Sequence, residues 1–358
     1  MPVMAGRFKL MWCKLRKRKP IRIRHPREGG DPVYASTWIP AFAGMTIKFL
    51  HHISLNHTLM RVTLIVRKNL FLILFLATSQ AMADISVLDD VGQTVVLKKP
   101  AERIISLAPH ITELLFAVDG GKRIAGTISY SDYPPEAKNI PLIGDDRQID
   151  MERIIALKPD LLVVWLHGNT ERQVEQLRQL GIPLFNSEPH KLDDIPDSML
   201  RLGHLLGTDK KATEAAANLR QILTSLRAQY SKRSPVRLFY QVCDQPLYTL
   251  NGKHIVSDAI RLCGGENIFS DMKITAPNVS VESVLQQDPE AIFGSEPRSK
   301  TSGINMWRRY ATMTAVRKKN IFSLDDDLFS RAGPRMIMGA VGLCEKIEVA
   351  RGKKKTRN

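Results

Sequence analysis

The sequence predicts an α/β protein of two lobes, each built on a parallel sheet, with one long helix joining them. Three observations carry that reading. Short apolar runs rich in β-branched residues alternate with helix-length segments, the pattern of parallel strands covered by crossover helices. The alternation is interrupted once, by the 25 residues from Thr208 to Lys232, which contain no Gly or Pro. It then resumes with the same landmarks. Glu152 stands seven residues before Pro159-Asp160 and Glu282 seven before Pro289-Glu290, while Gly120-Gly121 with Ile124 is matched by Gly264-Gly265 with Ile268.

In chain order, Arg103-Ile104-Ile105-Ser106-Leu107 is a buried strand ending at Pro109. Thr112 to Ala117 is a helix stopped by Gly120-Gly121, and Ile124 to Thr127 a second strand. Tyr130-Ser131-Asp132-Tyr133-Pro134-Pro135 is an aromatic loop. Met151 to Leu157 is a helix that Pro159 ends, and Leu161 to Trp165 a continuous apolar strand. Glu171 to Leu180 is a helix and Ile182 to Phe185 a strand. In the long segment Ala212, Ala215, Ala216, Leu219, Ile222, Leu223, Leu226 and Tyr230 recur at helical spacing, with Thr208 as its N-cap. A helix of that length spans roughly 35 Å. Strand Arg237 to Val242, helix Val256 to Leu262 and strand Ala291 to Phe293 follow. Duplicate lobes with a cleft between them are a standard place for a ligand.

The 358 residues are 44% hydrophobic, 25% charged and 6% aromatic, a globular composition with length enough for two cores. The formal net charge of +16 points to nucleic acid until it is located. Residues 1–59 carry 11 Lys/Arg against 2 Asp/Glu, whereas residues 84–350 carry 33 against 34. A near-neutral body argues against phosphate-backbone binding. Residues 60–83 read as a signal peptide, with Arg61, Arg67 and Lys68 before the apolar Leu70–Leu76 and a small-x-small site at Ala81-Met82-Ala83. That run is shorter than the ~20 apolar residues of a spanning helix. Residues 1–59 lack a sustained amphipathic period and read as an extension outside the fold, with Met60 as the start. The expected organisation is an N-terminal lobe over 84–206, a linker helix over 207–232, a C-terminal lobe over 233–350 and a basic tail over 351–358. Beyond residue 83 stand Cys243, Cys263 and Cys344, of which two can pair in an oxidising compartment; the sequence leaves the pair open.

Several stretches together resemble a known family: Tyr130 to Pro135; Glu152-Arg153-Ile154-Ile155-Ala156-Leu157-Lys158-Pro159-Asp160-Leu161; Gly168-Asn169 with Glu171-Arg172-Gln173-Val174; Cys263-Gly264-Gly265-Glu266-Asn267-Ile268-Phe269; and Arg331-Ala332-Gly333-Pro334-Arg335. They are similar to the periplasmic cobalamin-binding proteins, within the helical-backbone class of ABC-importer binding proteins, from about Arg103 to Lys346. The resemblance implies two Rossmann-like lobes held by a rigid helix and a monomer in the periplasm. It implies capture of cobalamin or a related corrinoid, and delivery to an inner-membrane permease dimer with its ATPase subunits. It implies no catalysis, no cofactor and no metal site of the protein's own. The family's cleft contacts fall on Pro109, Tyr130, Trp165, Asp327 and Arg331. Its disulfide falls on Cys263 and Cys344, which leaves Cys243 a thiol. Its permease-docking carboxylates fall on Glu152 and Glu282. The chain departs from the family at Asp146 and Ala276, where Trp is usual, and near Val242, where Tyr248 is the substitute for a Phe. With aromatic surface reduced, haem or an iron chelate stands as the alternative ligand.

The residues themselves allow a second account of each assignment. Trp165 ends a buried strand, where cleft side chains emerge, but strand-end aromatics also serve as core. Asp327 and Arg331 read equally as a solvated pair. His110 either reaches a ligand metal or is a solvent-facing loop residue. Glu152 and Glu282 also read as helix-start carboxylates. His167, His190, His204 and His254 show no paired ligand spacing. An enzyme on the same scaffold would want a Gly-x-Ser-x-Gly elbow or a glycine-rich phosphate loop, and the sequence has neither.

Overall fold

The β-branched runs form two four-stranded sheets whose strands are all parallel. A computed structural model of the chain describes residues 84–166, 168, 171–295 and 303–352. The segments read as an extension and a signal peptide, His167, Asn169 and the tail beyond Gly352 lie outside the described residues. A hairpin of β1 (Ile85–Leu88) and β2 (Thr94–Leu97) comes first. The first sheet then takes β3 (Ile104–Ser106), β4 (Ile124–Thr127), β5 (Leu161–Val164) and β6 (Leu184–Asn186), in the order β4-β3-β5-β6. Its helices are α1 (Pro109–Ala117), α2 (Met151–Ala156), α3 (Glu171–Gln179) and α4 (Asp194–Leu206).

Next, α5 (Asp209–Tyr230) crosses to the second sheet. That sheet contains β7 (Val236–Gln241), β10 (Gly265–Asn267), β11 (Ala291–Ser295) and β12 (Ile321–Leu324), in the order β10-β7-β11-β12. A small hairpin, β8 (Cys243–Asp244) with β9 (Leu247–Tyr248), extends from the end of β7. The remaining helices are α6 (Ile255–Leu262), α7 (Val281–Gln287), α8 (Thr314–Arg317), α9 (Asp326–Phe329) and α10 (Pro334–Gly352).

Both sheets have the same strand order, and the matched landmarks occupy equivalent places. Asp160, before β5, accepts hydrogen bonds from the backbone N–H groups of Glu102 and Arg103 at the start of β3 (2.9 Å each). Glu290, before β11, does the same for the N–H of Arg237 in β7 (3.2 Å). Arg103 donates to the Leu157 carbonyl at the end of α2, and Arg237 to the Gln287 carbonyl at the end of α7. Each is a cation at an orphaned helix C-terminus, a favourable pairing with the helix dipole.

At 22 residues α5 is about 33 Å long. Its apolar side, with Leu219, Leu223 and Leu226, joins Ile104 and Leu161 of the first sheet to Leu238 and Phe293 of the second in one core. Thr208 stands at the N-cap position but does not cap: its hydroxyl donates backward to the Gly203 carbonyl (3.4 Å) and closes α4 instead. Gly203 has a steric reason. A Cβ there would lie 2.2 Å from the Cβ of Ala212, so only glycine lets α4 and α5 cross this closely. The last helix also belongs to the bridge, packing against α5, α6 and α1. Arg351, expected in a free basic tail, is a buried residue of α10 that donates to the carbonyls of Ser234, Cys263 and Gly264.

Cys263 and Cys344 form a disulfide that fastens the end of α6 to α10, with Cα atoms 4.6 Å apart. Cys243, expected to remain a thiol, is also disulfide-bonded, with its partner outside the described residues. It sits half-exposed on β8.

Candidate functional site

In each sheet the chain leaves the central pair of strands, β3/β5 and β7/β11, in opposite directions. A crevice opens beyond the carboxyl ends of such a pair, and ligands bind there in open α/β sheets. The chain leaving β3 enters α1 at Pro109, whose missing N–H costs nothing in a first helical turn. The chain leaving β5 places Trp165, half-buried. Its indole meets the His110 ring edge-on, with centroids 5.4 Å apart and planes at 87°. Gly168 lies against that indole, and a Cβ on it would fall 2.0 Å from a ring carbon. The glycine therefore gives the ring its position.

His110 is buried in the first turn of α1, not solvent-facing as a loop residue would be. Its Nε2 lies 3.5 Å from the Ser187 hydroxyl. Burial lowers its pKa to about 4; the charge of Glu188 and a hydrogen bond donated to the Ser187 backbone oppose the shift, and Arg331 adds to it. The imidazole is neutral at pH 7 and acts as packing behind Trp165.

Beyond β4, Tyr130 is half-buried in a left-handed conformation (φ 69°), a costly state for an aromatic residue. Asp132, two residues on, accepts a hydrogen bond from Arg331 at 2.7 Å. That contact joins the end of the first sheet to the segment after β12 of the second. Arg331 is not part of a solvated pair: its side chain is 5% exposed. It reaches Glu113 of α1 at 3.1 Å and Asp327 of α9 at 3.5 Å as well as Asp132. Glu113, with its side chain 2% exposed, also takes two hydrogen bonds from Arg335 at the start of α10, at 2.6 and 3.0 Å. Burial would lower the pKa of Arg335, but the hydrogen bond and charge of Glu113 outweigh it and the net shift is upward. The Arg335 guanidinium also stacks 3.9 Å above the Tyr133 ring.

The structure thus brings Pro109, Tyr130, Trp165, Asp327 and Arg331 to the same ends of the two sheets. Tyr248 pairs with Cys243 just past β7 and is 6% exposed, so its ring is in the packing and not on a cleft wall. Ala276 is likewise core. Asp146 is buried in the turn between Gly144 and Ile149; burial first, then its neighbour Asp145, raises its pKa. Glu152 and Glu282 are both exposed in first helical turns. Asp150 and Ser280 perform the capping there by accepting from the Arg153 and Ser283 N–H groups. Sequence reasoning missed Glu113, Asp132 and Arg335. The available signal was a lone carboxylate in the apolar stretch Ile111-Thr112-Glu113-Leu114-Leu115. No cluster of metal-ligating side chains occurs among the described residues.

Residues 104–328 match the family model described as periplasmic binding protein. The chain is 39% identical over 252 residues to a vitamin B12-binding protein of Vibrio cholerae, covering 70% of this chain and 91% of that one. Among solved structures it is similar to periplasmic vitamin B12 binding protein BtuF of Vibrio cholerae, with TM-score 0.67, 39% identity, and coverage of 70% and 98%. It is also similar to the periplasmic heme-binding protein RhuT of Roseiflexus sp. RS-1, with TM-score 0.61, 25% identity, and coverage of 70% and 99%. The duplicated parallel sheets, the bridging helix and the match over most of the described chain lead to one assignment: this protein belongs to the periplasmic binding protein family.

Proposed function

We propose that the protein captures cobalamin or a related corrinoid in the periplasm and hands it to an inner-membrane ABC importer. The observation that carries this reading is the 39% identity across 91% of a vitamin B12-binding protein. The site chemistry supports it. A corrinoid is a broad flat ring fringed with amides, and it suits half-buried aromatic faces with a few polar anchors. Trp165, Tyr130 and Pro109 supply the faces, and Arg331 and Asp327 the anchors. The protein holds its cargo without transforming it and uses no cofactor. Residues 60–83 act as the export signal, and the partner is a permease dimer with ATPase subunits, met through Glu152 and Glu282.

The second reading is haem or an iron chelate. It draws on the similarity to a heme-binding protein and on Asp146 at a turn where the resemblance expects Trp. Calorimetric titration of the purified protein with cyanocobalamin, dicyanocobinamide and haemin decides between them. One-to-one binding of the corrinoids is expected. Tight haemin binding with no corrinoid binding would establish the second reading.

A further inference from the structure

We propose that Glu113 is a specificity-determining residue: by neutralising Arg331, it makes the cleft accept amide-fringed ligands and reject ligands that present carboxylates. The claim rests on the ligand cleft proposed above and goes beyond it by naming which chemistry the cleft selects against.

An arginine in a ligand cleft ordinarily invites anions, since its planar fork matches a carboxylate. Arg331 is arranged otherwise. Glu113, Asp132 and Asp327 all stand within 3.5 Å of its guanidinium. Arg335, the other cation of the group, is spent on Glu113 itself. Within the cluster three carboxylates stand against two guanidiniums. Glu188, a further buried carboxylate, acts on His110 behind Trp165. At the buried Arg331–Glu113 pair such charges are weakly screened. A carboxylate arriving at Arg331 must displace an existing one or share the site with it, and both cost free energy. A neutral amide oxygen brings no charge and so meets no such repulsion. Glu113 is the member that can impose this, because it is the most buried and holds both arginines.

The experiment compares two ligands that differ only in this feature. Cyanocobalamin and its monocarboxylates, in which one side-chain amide is hydrolysed, are titrated into wild type and Glu113→Gln. Wild type is expected to prefer the amide on the order of tenfold, the scale of coupling between linked groups. Glu113→Gln should bring that ratio close to one. A loosened fold would weaken both ligands together and leave the ratio where it was. An unchanged ratio, or a wild type that binds both equally, overturns the proposal. Should Glu113→Gln fail to fold, Asp132→Asn, on a partly exposed loop, removes a second of the three charges and must shift the ratio the same way. A protein that takes haemin and no corrinoid sinks the cobalamin reading alone. Haemin against its dimethyl ester then asks the same question, with the ester preferred by wild type.

Discussion

Trp165 and His110 form one unit with two measurable consequences. The indole is the largest half-buried aromatic at the crevice, fixed by Gly168 below and His110 at its edge. Trp165→Ala should weaken ligand binding by ~1–3 kcal/mol, the cost of a central aromatic anchor, as read by calorimetry. His110 stays neutral in the fold down to about pH 4, whereas an unfolded histidine protonates near 6.5. The unfolded chain therefore binds more protons between those values. This contribution to stability is intact above about pH 6.5 and lost as pH falls towards 4, with a slope of at most about 1.4 kcal/mol per unit. Denaturant unfolding between pH 4 and 7.5 should show His110→Asn with the shallower dependence. Parallel curves for the two proteins would show that some other group governs that range. Pro109 and Trp165 stand at strand ends that the sequence marks locally, whereas Arg331 comes forward only through the family resemblance of the Arg331–Arg335 stretch. Glu113 was not, since the arginines that explain it lie 218 and 222 positions away.

Among elements, α2 and α7 make the clearest pair. Each carries its glutamate exposed in the first turn, while a different side chain caps the helix. The carboxylates are thus spared for other work, beyond the ~0.3–1 kcal/mol that a helix dipole returns. Replacing both Glu152 and Glu282 with Ala should leave folding and ligand affinity nearly unchanged and sharply lower uptake through the importer. Raised salt should weaken the wild-type contact through screening. Undiminished uptake at limiting ligand would reduce both to helix-start residues. The strand–helix alternation was readable because buried parallel strands are continuous apolar runs. Two long helices escaped it for different reasons. Pro196 and Gly203 inside α4 look like breakers, yet Pro196 sits in a first turn and Gly203 at a close helix crossing. In α10 the buried residues fall on most sides, so no single apolar face stands out.

At the scale of the molecule, the two lobes are held by α5, by α10 and by the Glu113 cluster. The Cys263–Cys344 bond fastens α10 to the second lobe across 81 positions. In the chain-entropy model a loop of that length stabilises by about 4.5 kcal/mol. Replacing both cysteines with Ser should lower unfolding free energy by up to that amount, and peptide mapping of the wild type should recover the cross-linked pair. That the halves are duplicates was legible from two acids and two glycine pairs; that the last helix returns to the first lobe was not, because nothing local records it. This return also fixes a timetable. Each sheet is assembled from neighbouring stretches, 104–186 and 236–324, and can form as its own segment emerges. The arginines that secure one half to the other come after both, at the start of a helix of 19 residues. Until those final residues arrive, the two sheets lack the helix that packs on both halves, and neither arginine yet faces Glu113.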